Sequence, residues 1–291
     1  MGKLFALLSS VAWAVAVILF KRSGEKVSPF ALNLFRVVIS FVLFIALLLA
    51  IDQPIWRRAP LSDYLILFLS GIIAIAVSDT LFHRSLNILG AGISAIVDCL
   101  YSPFVVLCAF ILIGERLGAW QFAGMAFVIM GVLTASRHDP PSGTSVRQLV
   151  IGVVWGVLAM ATLALGIVIA KPVLNRSPVL WATTIRQMGC LAVMLPAALV
   201  SRRRGEIFSA FRPSRTWKYS MTGTVAGSFL ALILWIAGMK YTMAGIAAIL
   251  NQLSTIYVIV FASIFLGEPF TKRKLAALVL AFAGILMVTL G

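Results

Sequence analysis

The sequence predicts an all-α integral membrane protein, in which ten transmembrane helices form two inverted five-helix repeats around a central cavity. Three observations predict it: the hydrophobic content, ten apolar runs of span length, and an internal repeat. Of the 291 residues, 62% are hydrophobic and 11% are charged, whereas a soluble domain needs roughly a quarter of its residues charged. This composition excludes a soluble enzyme, a disordered protein and a secreted disulfide scaffold, and it makes the lipid bilayer the expected surroundings.

Ten apolar runs are long enough to cross a bilayer, whose core of about 30 Å needs about 20 residues of helix. The predicted spans are 3–20, 31–51, 64–86, 92–113, 118–136, 148–170, 179–200, 217–240, 245–266 and 272–290. Helices are predicted because lipid offers no partners for open backbone groups, and the alternating pattern of a β-barrel does not appear. The first run ends in Lys21 and Arg22 rather than at a small-residue cleavage site, so we expect a retained span.

The two halves of the chain are copies of one another. Residues 91–133 and 244–286 match at a constant offset of 153, with 14 identities in 43 aligned positions and no gap. The front halves match more loosely, with Arg36 against Arg186. Five spans per copy is an odd number, so the second copy enters the membrane in the opposite sense, as in transporters whose site lies near the midplane. The predicted units are residues 1–136 and 148–291, joined by a linker at 137–147.

The ten spans, the five-plus-five repeat, and the AGxxA…GE pattern of spans four and nine resemble the EamA family of the drug/metabolite transporter superfamily. The resemblance covers essentially the whole chain. It implies a multi-pass carrier of the inner (plasma) membrane that exports a small metabolite, such as an amino acid or a related compound, by alternating access. The superfamily's small multidrug members use a buried Glu in span one, and this chain has no acid there, so that coupling mechanism does not carry over.

Spans four and nine carry polar clusters at the same depth. The members are Asp98, Tyr101, Ser102, Asn251, Gln252, Ser254 and Tyr257. Asp98 aligns with Asn251 in the repeat, and such symmetry is what a central site between the halves would show. We therefore predict a polar cavity in which Asp98 binds a cationic group or a proton; the alternative is a structural hydrogen bond between packed helices.

A second candidate site for proton coupling lies in span three. Asp79 and His83 are four residues apart and share one helix face. They could relay a proton, because His titrates near neutrality. The alternative is that Asp79 forms an ion pair with Arg36 or Arg186.

The remaining intramembrane candidates have structural alternatives. Arg36 and Arg186 are predicted to snorkel or to stabilise carbonyl ends, although as substrate ligands they would suit carboxylates or phosphates. Pro103 is predicted to break or kink span four. Trp13 and Trp155, at comparable places in spans one and six, either line the cavity or lie in interfacial belts.

Two matched Gly-Glu pairs close spans four and nine. Gly114 and Glu115 align with Gly267 and Glu268 at the offset of 153, and each pair precedes a basic residue. These residues are predicted to be structural, as tight turns and ion-pair anchors at the membrane surface.

The net charge of +15 indicates basic loops that orient the protein in the membrane, rather than a nucleic-acid-binding surface. The predicted loops place 15 Lys and Arg residues on one face and 7 on the other, which favours both termini outside and loops 201–216 and 267–272 in the cytoplasm. Two GxxxG patterns are expected to serve packing within one molecule, so a monomer is predicted.

The predicted function is a secondary carrier for a small polar or zwitterionic metabolite, linked to protons. No P-loop is present, and no cofactor or metal is expected. A polytopic membrane enzyme is the first alternative, but the chain has two histidines and no HExxH or nucleophile elbow. A channel is the second, but continuous polar stripes along several spans are not seen.

Overall fold

Helices dominate the computed structural model, which describes residues 2–113, 118–136, 145–214, 217–241 and 244–290. Thirteen α-helices occur within these ranges, and no β-strand does. They are α1 (Gly2–Gly24), α2 (Pro29–Ala50), α3 (Leu61–Gly71), α4 (Ser78–Val97), α5 (Tyr101–Ile113), α6 (Ala119–Ser136), α7 (Val146–Arg176), α8 (Val179–Val200), α9 (Arg204–Ser209), α10 (Trp217–Gly223), α11 (Leu232–Tyr241), α12 (Ala244–Leu266) and α13 (Lys272–Leu290).

Several helices are long and apolar enough to cross a membrane. Within the described residues, five candidate spans meet both criteria: Gly2–Gly24, Pro29–Ala50, Leu61–Leu112, Val146–Arg176 and Val179–Val200. The shorter apolar helices Phe122–Gly131 and Leu253–Leu266 add to them. Large apolar side chains are exposed on the outside, Ile111 at 66% and Leu65 at 61% among them, which suits contact with lipid tails. The protein is therefore an all-helical, multi-pass membrane protein, and the number of ten crossings stays a prediction.

Two π-helical segments interrupt the α-helical path. Ile72–Val77 joins α3 to α4, and Thr224–Ala231 joins α10 to α11. Both ends of the first segment are bonded to α7, because Ser70 donates to the Gly166 carbonyl at 2.7 Å and Ser78 to the Ala159 carbonyl at 2.8 Å. Single π-helical turns are rare and occur frequently at functional sites. The two segments lie at matching positions of the repeat, about 153 residues apart.

Predicted spans three and four meet at a one-residue break. Gly90 lies inside α4 with φ +78° and ψ 171°, and helical geometry resumes immediately after it. The carboxylate of Glu268 accepts hydrogen bonds from the backbone N–H groups of Ala91 at 2.6 Å and Gly92 at 3.0 Å. It thus caps the helix that follows Gly90. Lys274 lies 3.3 Å from the same carboxylate, so Glu268 forms an ion pair and also joins the ends of α12 and α13 to α4.

The helices pack across the two halves of the chain. α1 lies against α12 and against the stretch from α10 to α11. α7 lies against α3, α4 and the first π-helical segment between them, and α6 lies against α13. The main buried apolar cluster draws on α1, α4, α7, α12 and α13. α3 and α8 approach closely, because a Cβ on Gly71 would lie 1.8 Å from the backbone oxygen of Arg186. This packing brings Arg186 of the second half beside the first half.

Candidate functional site

A cavity of about 240 Å³ lies where elements of both halves meet. α1, α2, α4 and the first π-helical segment contribute walls from the first half, and α7, α8, α11, α12 and the second π-helical segment from the second. Its charged lining residues include Arg36, Asp79, Asp98 and Arg186. Aromatic rings of Trp13, Phe82 and Trp235 lie in the same wall. The cavity therefore combines both signs of charge with apolar surface, as small-molecule sites commonly do.

Many of the predicted site residues lie together at this cavity. Those that line it are Trp13, Arg36, Asp79, Asp98, Tyr101, Arg186, Asn251 and Ser254. His83, Ser102, Pro103, Trp155 and Tyr257 lie elsewhere. Gly114 and Glu115 lie outside the described residues, as does the side chain of Gln252. The roles assigned to all of these residues stay predictions.

Asp98 opens a short 3₁₀ turn, Asp98–Leu100, that links α4 to α5. Its side chain lines the cavity and forms no hydrogen bond or ion pair with any other described residue. Next to it, the Cys99 thiol lies 3.7 Å from the Thr255 hydroxyl, which also donates to the Ala95 carbonyl at 3.4 Å. The polar stretches of spans four and nine therefore contact each other, as their matched positions suggested, and Asp98 keeps its carboxylate free for a ligand or a proton.

Asn251 of α12 also lines the cavity. Its side-chain oxygen lies 3.5 Å from the Ser9 hydroxyl of α1, and that hydroxyl also donates to the Ala231 carbonyl at 2.9 Å. The side chain of Asn251 therefore lies close to Ser9 of α1 and to the end of the second π-helical segment.

Arg36 is held by five groups, one of which is the side-chain oxygen of Asn33, 3.4 Å from Nη1. Its Nη1 lies 2.9 Å from Asp79 and 3.3 Å from His83, and its Nε donates to the Ser228 hydroxyl at 2.8 Å. The guanidinium also lies 5.3 Å from the centre of the Phe20 ring. Of the two partners proposed for Asp79, Arg36 is the one that forms the ion pair. Asp79 and His83 are connected through this guanidinium.

The contact with Arg36 favours one tautomer of His83. An arginine can only donate, so a hydrogen bond between the two side chains has Nε2 of His83 as the acceptor and the ring proton on Nδ1. Nδ1 is buried and has no partner among the described residues. A second proton would lie on Nε2, where its N–H would face the N–H of Arg36. The positively charged imidazolium would also lie beside the positively charged guanidinium. Protonation of His83 is therefore coupled to the position of Arg36.

Arg186 occupies the position that matches Arg36 in the repeat, with a different environment. It is 6% exposed and lines the cavity. Its Nε donates to the Ser70 hydroxyl at 2.9 Å, which mirrors the bond from Arg36 to Ser228. Each arginine thus reaches a serine in or next to the π-helical segment of the other half.

The predicted residues outside the cavity have identifiable contacts. Trp155 stacks under Arg84, whose guanidinium carbon lies 5.3 Å from the ring centre. Tyr257 stacks on Phe261, with ring centres 6.4 Å apart. Pro103 lies within α5, in the turn after Asp98–Leu100.

Several polar cavity residues were not singled out from the sequence, among them Ser228, Thr183 and Gln187. Ser228 binds Arg36, and Thr183 and Gln187 belong to α8. The Thr183 hydroxyl and the Gln187 side-chain oxygen are buried and have no partner among the described residues. The sequence could have indicated these residues, because they are polar side chains within apolar spans. In the described part of the chain, no three His, Cys, Asp or Glu side chains lie close enough to share a metal ion.

Known proteins resemble this chain along its whole length. The model of the EamA-like transporter family matches residues 1–137 and again 150–290. An uncharacterized transporter of Archaeoglobus fulgidus is 24% identical over 289 residues, which cover 99% of this chain and 97% of that protein. An uncharacterized transporter of Haemophilus influenzae is 25% identical over 201 residues, or 68% of this chain and 64% of that protein.

The fold also has a counterpart among solved structures. A chain in a crystal structure is 18% identical, with a TM-score of 0.68 over 99% of this chain and 96% of that chain. At this identity the likeness shows the fold alone. The family match and the transporter names of the relatives point to a transporter rather than to an enzyme. Because two copies of the family model together match nearly the whole sequence, the chain belongs to the EamA-like transporter family.

Proposed function

We propose that this protein is a secondary-active, proton-coupled carrier of the inner membrane. It exports a small metabolite, such as an amino acid or a related compound, by alternating access. The observation that carries the proposal is the cavity of about 240 Å³ between the two halves, in which the carboxylate of Asp98 has no described partner. An unpaired acid at this depth is costly unless a ligand or proton binds to it.

Paired contacts support an inverted repeat of ten spans. Ser9 donates to the Ala231 carbonyl, and Ser78 donates to the Ala159 carbonyl. Ser9 and Ala159 are equivalent positions of the two repeats, because they are 150 residues apart, as Arg36 and Arg186 are. Ser78 and Ala231 are also equivalent, because they are 153 residues apart, the offset of the back halves. Equivalent positions therefore meet twice, with donor and acceptor exchanged, as expected for a pseudo-two-fold axis.

Contacts at one end of the molecule support alternating access. We call this end, formed by residues 20–29, 86–92 and 265–274, the Gly90 end. Lys21 donates to the Asn87 carbonyl at 2.9 Å, Asn87 donates to the Gly24 carbonyl at 3.1 Å, and Arg22 donates to the Phe265 carbonyl. Together with the Glu268 cap, these bonds join α1, α4 and α12. We propose that these bonds close the Gly90 end in this state and that they break when the carrier opens toward it.

Transport through proteoliposomes tests the proposal. Purified protein is reconstituted, and counterflow of labelled amino acids, nucleosides and organic cations is measured in a pH gradient. We expect saturable counterflow that Asp98→Asn abolishes, because the amide can neither bind a cation strongly nor exchange a proton. Asp52→Asn is the matched control, since Asp52 is exposed in the α2–α3 loop and Asn tolerates its positive φ of 53°.

Three outcomes would contradict parts of this proposal. Transport at the wild-type rate in Asp98→Asn for every substrate removes Asp98 from the mechanism. Flux that does not saturate, without counterflow, indicates a channel instead of a carrier. Saturable transport that is indifferent to the pH gradient contradicts proton coupling alone.

A further inference from the structure

We propose that Arg186 is an anion-binding subsite of the cavity that takes a carboxylate group of the transported metabolite. The inference rests on the proposed function and extends it by naming one chemical group of the substrate. Of the two roles that the sequence left open for Arg186, it favours substrate binding over the structural one.

The first argument is the bonding of the Arg186 side chain. Only Nε has a hydrogen-bond partner among the described residues, namely Ser70 at 2.9 Å. Because Ser70 itself donates to the Gly166 carbonyl, its oxygen is held in place to accept from Arg186. The two terminal amino groups remain for a ligand in the cavity. They form the planar fork that matches both oxygens of a carboxylate.

The second argument is the difference between the two repeats. Arg36, the counterpart of Arg186, has its charge balanced by Asp79 at 2.9 Å. The counterpart of Asp79, at the offset of 153, is Leu232, which also lines the cavity. The second repeat thus places an apolar side chain where the first has a carboxylate, and no described carboxylate forms an ion pair with Arg186.

The third argument is the environment of the charge. Arg186 is 6% exposed, and Leu163, Ile167 and Trp235 contribute to the cavity wall. Arg186 is attracted by Asp79, but that carboxylate is already paired with Arg36. One carboxylate cannot balance two buried guanidinium groups, and an anionic ligand lowers the cost of the second one. Asp98 lines the same cavity without an ion pair to Arg186, so it stays available for a different part of the substrate.

Binding of benzoate, compared with its neutral analogue benzamide, tests the subsite without requiring the natural substrate. Affinity is measured by titration calorimetry and by thermal stabilisation of the purified full-length protein. We expect wild type to bind benzoate more tightly than benzamide. Arg186→Gln should weaken benzoate binding by about tenfold to a hundredfold, as for a lost hydrogen bond to a charged group, and leave benzamide unchanged. Arg84→Gln is the matched control, because Arg84 is exposed and stacks on Trp155.

A second variant covers the case in which Arg186→Gln does not fold. Leu232→Asp introduces the carboxylate that the first repeat has, so it should pair with Arg186 and displace benzoate. Benzoate binding at wild-type strength in either variant, or equal affinity of wild type for benzoate and benzamide, overturns the proposal. If benzoate binds as expected and no metabolite shows counterflow, the carrier function fails and the subsite stands. If counterflow is saturable and benzoate shows no dependence on Arg186, the subsite alone fails.

Discussion

Arg36 and Asp79 form an ion pair deep in the protein. Their side chains are 7% and 16% exposed, and the guanidinium also binds Ser228 of the second half. Removing one member of a buried pair leaves an uncompensated charge, which costs more than removing both. At the scale of single residues, this pair therefore connects the two halves through one charged side chain.

We expect Asp79→Asn to lower the free energy of unfolding by about 3 kcal/mol, the scale for breaking a buried ion pair. The double variant Arg36→Met with Asp79→Leu should lose less, because no charge is left unpaired. Thermal unfolding of the detergent-purified variants measures both. A double variant that is less stable than Asp79→Asn would contradict this account of the pair.

At the scale of helices, the non-helical residue Gly90 divides α4 into two helical parts, one before it and one after it. Gly90 has a positive φ of 78°, and an added Cβ would lie 2.6 Å from Oε1 of Glu268. Substitution there would combine backbone strain with displacement of the Glu268 cap. Two other glycines separate these effects: Gly267 has a φ of 68° with open space around it, and Gly205 has open space and no positive φ.

We expect the destabilisation to decrease from Gly90→Ala to Gly267→Ala to Gly205→Ala. Strain costs about 1–2 kcal/mol in the left-handed α region and about 1–3 kcal/mol at the φ and ψ of Gly90, a region that only glycine commonly adopts. Loss of a cap adds about 1 kcal/mol. Gly205→Ala should be neutral or stabilising, since Ala is the better helix former. Apparent unfolding temperatures compare the three variants. Equal values for Gly90→Ala and Gly267→Ala would show that the cap contributes nothing.

Glu268→Gln tests the cap by itself. The amide keeps the shape of the side chain and loses the charge that strengthens the bonds to Ala91, Gly92 and Lys274. We expect a cysteine at Ser23, buried at the Gly90 end, to react faster with a maleimide in this background. The native cysteines at 99, 108 and 190 are first replaced by Ala. Glu206→Gln, in the exposed pair with Arg203, is the control, and equal rates in both variants would contradict the closing role of the cap.

At the scale of the whole molecule, the number of crossings determines which loops share a face. The ten-span prediction places five crossings between Asp52 and Gly205, so these residues should lie on opposite sides of the membrane. Single cysteines at the two positions, labelled with an impermeant reagent in cells and in inverted vesicles, measure this directly. We expect position 205 to react from the cytoplasm and position 52 from outside. Labelling of both from one side would contradict the ten-span arrangement.

Composition and the internal repeat were enough to predict helices, membrane insertion and the family resemblance, because hydrophobicity and chain periodicity are local properties. The depth of Asp98 and Asn251 followed from their place within apolar runs, and both line the cavity. Trp155 and Tyr257 lie at similar depths, yet they contact Arg84 and Phe261. Which face of a helix points inward depends on the rotation of the helix about its own axis. A span that is apolar on all sides does not show this rotation in its sequence.

The pairing of the charges was decided only by the tertiary structure. The sequence left Asp79 with two possible arginines, and it offered no reason to separate Arg36 from its repeat counterpart Arg186. The ion pair joins residues 43 positions apart, and each arginine is held by a serine more than 100 positions away. Contacts at such separations depend on how whole helices cross. Helix packing therefore determined that Arg36 forms the ion pair with Asp79 and that Arg186 lines the cavity without an ion pair among the described residues.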